Sequence, residues 1–421
     1  MGETTPPEDH GTPAFEGLRS ARSTSRLHLI DHLRATGVGN HIPLQIVVCG
    51  DRSTGKSSVL EGVFEIPLSR GCTKFAIEFI IRHSLNTSRI TATVKPHKHR
   101  ASSEKNRLRT YRRELDGFLE LPSVISEAAA LIGIRGYGDG ESAGSPAFAA
   151  DILRIEVVGN TGLHLTVVDL PGIIGVAGEE QTEKDVELVN QLVDSYLKNS
   201  RTIILAVVQA SNDIANQRVI QRARNFDKVG QRTIGIITKP DLINEGTQGR
   251  IASMARNEDT TKLKLGYFLL KNPTSIHIEA GISLGKWRQL EHNFFSSGSW
   301  QEHHLDMSRV GIEALTTFLR DLLDKHIEKQ LPKVRKGIQK WLDISQKDLD
   351  ALGGARSFVG DIRMFFTRLS TAFHGIAQAA LHGNYHDLLR IASEPSRQKE
   401  RRVALTNLVQ SLKGSLVDLQ D

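Results

Sequence analysis

Short apolar runs alternate with helix-like patterns over the first three quarters of the chain. Runs of this kind are typical of strands that are buried on both faces, particularly where Gly, Pro, Asn or Asp follows them. The predicted strands cover residues 44–49, 77–82, 152–158, 163–168, 202–208, 233–237 and 267–270. Helical stretches separate most of them, so the pattern predicts an α/β fold with a mostly parallel central sheet. The Gly-Asn-Thr-Gly segment at 159–162 indicates a hairpin that makes one edge antiparallel.

The pattern from residue 312 onward is almost wholly helical. Leu315, Leu319 and Leu323 fall on one helix face, and an apolar stripe continues past Pro332. Long amphipathic helices outside an α/β core are typical of a stalk or bundle. A short amphipathic helix is also predicted within residues 25–40, while residues 1–24 are rich in Pro, Gly, Ser and Thr and are expected to be disordered.

Composition and charge favour a cytoplasmic protein. The 421 residues are 39% hydrophobic and 24% charged, and no apolar run is long enough to span a membrane. Cys49 and Cys72 are expected to be reduced thiols rather than a disulfide. The net charge of +6 permits peripheral contact with an anionic membrane surface, whereas we expect no nucleic-acid partner. The basic segment 95–113 is either a phosphate- or lipid-contacting insert or, as we prefer, a solvated loop and helix face.

A phosphate-binding loop lies between the first predicted strand and a helix. Its sequence, Gly-x-x-x-x-Gly-Lys-Ser, allows backbone N–H groups to surround a phosphate at a helix N-terminus. Lys56 can reach the β- and γ-phosphates, and the Ser57 hydroxyl is placed to ligate Mg²⁺. The predicted nucleotide-binding residues of this loop are Gly50, Asp51, Arg52, Ser53, Thr54, Gly55, Lys56, Ser57 and Ser58.

Two later motifs follow predicted strands and narrow the choice of nucleotide. Asp169-Leu170-Pro171-Gly172 offers a carboxylate for Mg²⁺ and, at Gly172, an N–H that can sense a γ-phosphate. Thr238-Lys239-Pro240-Asp241 offers the Asp241 carboxylate, which can accept hydrogen bonds from guanine N1–H and the exocyclic amine. The stem of Lys239 can lie across the purine. These motifs together indicate a guanine nucleotide.

The three motifs together resemble those of the dynamin superfamily of large GTPases, with the fungal dynamin-like and myxovirus-resistance-like branches nearest. Further matching blocks lie at residues 42–48, 72–76, 262–267, 291–295 and 309–311. The resemblance covers roughly residues 26–390. It implies a bundle-signalling-type helix at 25–40, a dynamin-type GTPase domain at 41–311, and a helical connector with a truncated stalk at 312–421.

The resemblance also implies roles for individual residues. Thr73 is similar to the switch I threonine that completes the Mg²⁺ shell, and Ser53 to the serine near a monovalent cation. Asn272 is similar to the residue of the last base-contacting loop. From the motifs and the resemblance together, the predicted catalytic residues are Arg52, Ser53, Lys56, Thr73 and Gly172, and the predicted metal ligands are Ser57, Thr73 and Asp169. Relatives couple GTP hydrolysis to dimerisation through the nucleotide face and to stalk-mediated assembly, often on membranes.

Departures from the family pattern leave the rate of hydrolysis open. Arg52 stands where the family usually has a glutamine that holds the attacking water, and Pro273 follows Asn272 where relatives often have arginine. The first hypothesis is a dynamin-like GTPase that binds GTP with Mg²⁺ and hydrolyses it to GDP and phosphate. Hydrolysis would be coupled to dimerisation and self-assembly, which can extend to membrane remodelling. The alternative is a GTP-binding module that hydrolyses weakly or not at all. A P-loop ATPase or kinase is a third possibility, which competition between GTP and ATP would test.

Overall fold

The computed structural model describes residues 18, 45–66, 68, 73–84, 87–137, 145–175, 181–211, 217–244, 246–259, 261–274, 276–277, 281–296, 298–352 and 358–383. The predictions for residues 25–40, for Cys72 and for the chain after 383 lie outside these residues, as do those for 1–24 except at Leu18, which is buried. The chain divides into two units, residues 1–338 and 339–421. The domain boundaries drawn from the resemblance remain predictions.

The first unit contains one nine-stranded sheet in the order β4-β3-β5-β2-β6-β1-β7-β8-β9. The strands are β1 Gln45–Gly50, β2 Ala76–His83, β3 Arg89–Lys95, β4 Arg112–Leu115, β5 Ile152–Gly159, β6 Leu165–Asp169, β7 Thr202–Gln209, β8 Thr233–Thr238 and β9 Tyr267–Leu269. Strand β1 pairs in parallel with β6 and β7, and β7, β8 and β9 continue in parallel. The α/β fold with a mostly parallel sheet is therefore confirmed.

The predicted hairpin at residues 159–162 is wrong, because β2 lies between β5 and β6. Phe79 in β2 pairs with Ile155 on one side, in parallel, and with Val167 on the other, antiparallel. The connection from β5 to β6 crosses the end of β2, where Gly162 N–H donates to His83 Nδ1 at 3.1 Å. The antiparallel pairs are β2 with β6, β3 with β5 and β3 with β4.

Helices cover both faces of the sheet. Alternate residues of β1 enter two separate apolar clusters, Ile46 and Val48 one, Val47 and Cys49 the other, so this strand is buried on both sides. Because β1 is packed on both faces, the start of the loop that follows it has a fixed position. The helices are α1 Lys56–Phe64, α2 Ser102–Thr110, α3 Leu121–Ile132, α4 Glu183–Leu197, α5 Arg218–Phe226, α6 Gln248–Ala255 and α7 Leu284–Ser296, with 3₁₀ turns at Phe118–Glu120, Pro240–Leu242, Gly298–His303 and Met307–Arg309.

The basic segment at 95–113 forms the end of β3, α2 and the start of β4. Two of its arginines have structural partners. Arg100 binds Asp151 with Nε and Nη2, at 2.8 and 2.7 Å, and Arg113 pairs with both Glu120 and Glu127. These contacts tie the segment to the start of β5 and to α3, so these two arginines have partners within the fold and favour neither the phosphate- or lipid-contacting insert nor a wholly solvated face.

Two long helices follow the sheet, as predicted. Helix α8 spans Ile312–Leu352 without a break at position 332, and Ile312, Leu315 and Leu319 at its start are buried in the core. Helix α9 spans Val359–Leu381 and belongs to the second unit. Among the described residues, no helix is both long and apolar enough to cross a membrane.

Candidate nucleotide-binding site

The loop between β1 and α1 is shaped by two glycines. A Cβ on Gly50 would lie 2.3 Å from the carbonyl oxygen of Val207, so only glycine fits where β1 ends beside β7. Gly55 has φ +87°, in the left-handed region that glycine adopts without strain. Gly55 precedes α1, and no side chain caps that helix. The backbone N–H groups at the start of α1 can therefore serve an anion, as a phosphate-binding loop requires.

Lys56 lies over this loop and is almost fully buried, with 7% of its surface exposed. Its ammonium donates to the carbonyl oxygens of Gly50 and Asp51, at 3.2 and 3.0 Å. A buried ammonium needs partners of this kind, because desolvation of an unpaired charge is costly. The same geometry aims one positive charge at the space enclosed by the loop, which suits a phosphate.

The three predicted metal ligands, Ser57, Thr73 and Asp169, lie together. The hydroxyls of Ser57 and Thr73 donate to Asp169 Oδ2 at 3.4 and 2.9 Å. Asp169 Oδ1 is buried and has no hydrogen-bond partner in the described structure. Mg²⁺ is commonly held by one or two carboxylates, hydroxyls and substrate phosphates rather than by an all-protein cage. The donor set therefore fits Mg²⁺, and no cluster of three His, Cys, Asp or Glu side chains among the described residues offers another metal site.

Burial governs the protonation of Asp169. Desolvation raises the pKa of its carboxyl to about 6, against the opposing effects of the Lys56 charge and of the hydrogen bonds from Thr73 and Ser57. An added cation beside Asp169 would favour the charged form and return the pKa towards its ordinary value. This carboxylate is thus suited to a site in which positive charge arrives with the ligand.

Gly172 and Arg52 lie against each other at the mouth of the loop. A Cβ on Gly172 would lie 2.8 Å from Arg52 Cα and 3.2 Å from Lys56 Nζ, so a larger residue would displace the loop. Leu170 and Ile173 on either side are buried, and Ile173 N–H donates to the Gly50 carbonyl at 3.0 Å. The Arg52 side chain is exposed. The second motif is therefore joined by backbone contact to the first.

The remaining residues of the first loop differ in burial. Ser53 is exposed and has φ +62°, an uncommon conformation for a residue with a side chain. Thr54 is buried, and its hydroxyl donates to the Asp51 carbonyl at 3.0 Å. The predictions that Ser53 adjoins a monovalent cation and that Ser58 contacts nucleotide stay predictions.

The third motif lies at the end of β8, beside the loop. Thr238 is buried, and its hydroxyl donates to the carbonyl oxygens of Thr54 and Val208 at 2.6 and 3.1 Å. Lys239 has φ +56°, and a 3₁₀ turn, Pro240–Leu242, follows it. Asp241 is exposed at this turn. Its carboxylate is therefore available to a base that lies beside the first loop.

Asn272 completes the group of predicted base-contacting residues. It follows β9, the parallel neighbour of β8, and its Nδ2 lies 2.7 Å from the position that a Cβ on Gly55 would take. Asn272 Oδ1 is buried and has no partner among the described residues. The structure thus brings the Thr238–Asp241 and Asn272 segments to the same edge of the sheet as the phosphate-binding loop.

The sequence reasoning missed the residues that hold the Asn272 segment. Glu291 in α7 accepts from Lys271 N–H at 2.7 Å, and Trp287 Nε1 donates to the Lys271 carbonyl at 3.1 Å. The signal was present, since Trp287, Glu291 and Phe295 recur every four residues and all three are buried on one helix face. An acidic residue within such a face indicates a specific polar contact.

Comparison with known families agrees with this geometry. Residues 46–240 match the Dynamin family and residues 251–404 match the Dynamin central region. The chain is 31% identical over 331 residues to an interferon-induced GTP-binding protein Mx of Ctenopharyngodon idella, covering 78% of this chain and 50% of that protein. It is 31% identical over 346 residues to MxB of Danio rerio, covering 82% and 52% respectively.

A third relative gives a similar match. An interferon-induced GTP-binding protein Mx of Gallus gallus is 30% identical over 363 residues, covering 85% of this chain and 48% of that protein. The chain therefore spans about half the length of the curated relatives that it matches. With both family regions matched in order and the three motifs assembled at one edge of the sheet, the chain belongs to the dynamin superfamily of large GTPases.

Proposed function

We propose that the protein binds GTP with Mg²⁺ and hydrolyses it to GDP and phosphate. The observation that supports this most directly is the convergence of Ser57, Thr73 and Asp169 beside the buried ammonium of Lys56. Phosphoryl transfer depends mainly on positioning and on neutralisation of charge, and this group offers both. A bound Mg²⁺ would add Lewis-acid neutralisation of the phosphate charge at Ser57, Thr73 and Asp169.

Separate residues of the chain would bind the phosphates, the attacking water and the base. Lys56 neutralises the β- and γ-phosphates, and the backbone N–H groups after Gly55 bind their oxygens. Gly172 lies beside Lys56, since a Cβ added to it would be 3.2 Å from Lys56 Nζ. Its N–H can donate to the γ-phosphate. Thr73 would help to orient the attacking water, and its hydroxyl donates to Asp169. Asp241, Lys239 and Asn272 bind the base.

The guanine contact is tested by replacing Asp241 with Asn. The exchange should weaken GTP binding by about 1–3 kcal/mol, the value of hydrogen bonds to a charged group, and should improve binding of xanthine nucleotides. Titration calorimetry with GTP, XTP and ATP measures all three affinities in one preparation. If this variant still prefers GTP to ATP as strongly as the parent does, Asp241 does not contact the base.

The metal requirement is tested separately with Ser57→Ala. Loss of that hydroxyl should raise the Mg²⁺ concentration needed for half-maximal hydrolysis and leave nucleotide binding in EDTA nearly unchanged. Ser296→Ala, at the end of α7, serves as a control because it also removes a half-exposed serine hydroxyl. An unchanged Mg²⁺ dependence in Ser57→Ala would contradict the ligand assignment.

A second candidate function is a GTP-binding module with little or no hydrolysis. The exposed Arg52 favours it, because the family resemblance implies a water-holding glutamine at this position and a guanidinium cannot accept a hydrogen bond from water. Single-turnover hydrolysis of GTP at saturating protein distinguishes the two functions. A rate no faster than that of free GTP would support the second.

We further propose that hydrolysis is coupled to dimerisation through the nucleotide face and to stalk-mediated self-assembly. Family membership supports this, and so do the exposed apolar side chains of α9, among them Phe366, Leu369 and Phe373. Light scattering after size exclusion, with and without a transition-state mimic, measures the assembly. Contact with an anionic membrane and a cytoplasmic location are also proposed, and sedimentation with anionic against neutral vesicles tests the membrane contact.

A further inference from the structure

Glu291 is a buried acidic residue outside every nucleotide motif. It lies in the middle of α7, and 3% of its surface is exposed. Oε1 accepts from Lys271 N–H, and Oε2 accepts from Ile312 N–H, both at 2.7 Å. One carboxylate therefore binds two backbone segments that lie 41 positions apart in the sequence, the loop after β9 and the start of α8.

The segment at the start of α8 is buried and packs closely on Glu291, so it can serve as a support for the carboxylate. Gly311 has φ +89°, and a Cβ on it would lie 3.0 Å from Glu291 Oε2, so the carboxylate fits closely under this turn. Ile312 is buried in the core with the start of α8. Because Oε2 is held there, the position of Oε1 and of the Lys271 N–H is also fixed.

Trp287, one turn before Glu291, fixes the same loop a second time. Its indole N–H donates to the Lys271 carbonyl. Side chains of α7 therefore bind both the backbone N–H and the backbone carbonyl of Lys271. The ring packs on α1, where a Cβ on Gly62 would lie 2.5 Å from Trp287 Cη2. Helix α7 thus joins the loop to the helix that begins in the phosphate-binding loop.

We propose that Glu291 is a positioning residue for base recognition, which holds the 271–274 loop so that Asn272 lies against Gly55 beside the Thr238–Asp241 turn. This rests on the proposed binding of GTP. Purine selectivity then depends on a carboxylate that touches no nucleotide. Loss of one of its two acceptors frees Lys271 N–H, and the adjacent Asn272 moves relative to the base.

The test replaces Glu291 with Gln, which keeps the shape but has only one acceptor oxygen. GTP affinity should fall about tenfold, and ATP affinity should change about threefold or less. The preference for GTP over ATP therefore falls, because the polar groups of the site lose their alignment with guanine. The rate of single-turnover hydrolysis at saturating protein should stay within about threefold, because the chemical step does not use the base loop.

Asp227→Asn is a matched control. Asp227 is also a buried carboxylate that accepts from two backbone N–H groups, those of Gln231 and Arg232, but it lies before β8, away from the base loops. This variant should lose stability and keep its GTP-to-ATP ratio. Equal losses for GTP and ATP in Glu291→Gln, no loss at all, or the same loss of selectivity in Asp227→Asn would each overturn the proposal.

Trp287→Phe keeps the experiment decisive if Glu291→Gln does not fold. It removes the N–H donated to Lys271 together with the outer part of the ring, including the Cη2 atom that lies at Gly62, and it should also lower the GTP-to-ATP ratio. An unchanged ratio there would overturn the proposal. If the parent protein does not prefer GTP to ATP, the proposed function itself fails, and that result is distinct from an unchanged ratio in the variants.

Discussion

The Thr238 hydroxyl donates to the carbonyl oxygen of Thr54 at 2.6 Å and so joins the end of β8 to the phosphate-binding loop. The two residues are 184 positions apart. Both are buried, so the bond is shielded from water and its loss would leave a polar group without a partner. The phosphate loop and the base-contacting motif therefore keep one geometry relative to each other.

Replacing Thr238 with Val should weaken both folding and nucleotide binding. The side chain keeps its volume, but the Thr54 carbonyl loses its donor, at a cost of about 1–3 kcal/mol in the free energy of unfolding. Urea denaturation measures that cost, and titration with GDP measures the affinity. Thr316→Val is the control, because Thr316 is buried too but donates only to the Ile312 carbonyl in its own helix. Equal effects in the two variants would contradict a specific role for the Thr238 bond.

Replacing Lys56 with Ala should remove most nucleotide affinity. The β- and γ-phosphates would lose their fixed counter-charge, and a charged hydrogen bond of about 1.5–3 kcal/mol corresponds to roughly ten- to more than a hundredfold in the dissociation constant. Fluorescent, non-hydrolysable GTP analogues measure the change. Lys198→Ala removes an exposed lysine at the end of α4 and should bind as the parent does. If Lys56→Ala binds as tightly as Lys198→Ala, the loop does not bind phosphate.

The sequence alone identified site residues that belong to short motifs directly after a strand. The phosphate loop, Asp169 and the Thr238–Asp241 turn each follow a strand directly, and parallel strands end at the same edge of a sheet, so their meeting was predictable. The insertion of β2 between β5 and β6 was not, because it depends on pairing with strands 70 or more residues away. The contacts of Glu291 depend likewise on where α7 and α8 meet the loop after β9.

The stability of the protein should fall as the pH rises through the titration of Glu291. Burial raises the pKa of this carboxyl from 4.5 to about 7, opposed by the N–H groups of Ile312 and Lys271 and by the Lys271 charge. The folded state then binds more protons than the unfolded state between these two values. Stability is therefore greatest below about pH 4.5, declines towards about pH 7 and is level above it, as far as this group determines it.

Comparison with Glu291→Gln isolates that contribution, because glutamine does not titrate. As the pH rises from ~5 to ~7, the parent should lose stability relative to the variant by at most about 1.4 kcal/mol of unfolding free energy per pH unit. Chemical denaturation at several pH values measures it. A difference that is constant with pH would show that Glu291 has the same pKa in the folded and unfolded states.

Arg52 decides between the two proposed functions, because its side chain is exposed at the mouth of the phosphate loop and its backbone lies against Gly172. An amide at this position can both donate to and accept from a water molecule aligned on the γ-phosphate, whereas a guanidinium can only donate. We expect Arg52→Gln to raise the single-turnover rate of GTP hydrolysis by about tenfold or more, with little change in GTP affinity. Rapid-quench measurement of phosphate release gives the rate.

Arg52→Ala separates the gain of an amide from the loss of a charge. If a glutamine restores the water contact, Ala should hydrolyse no faster than the parent, and only Gln should be faster. An arginine that instead points its fork at the phosphate oxygens would stabilise the transition-state charge from within the chain, and both variants would then be slower, by up to about a thousandfold. A clearly lower rate in Arg52→Gln would therefore make Arg52 a catalytic residue and contradict the weakly hydrolysing alternative.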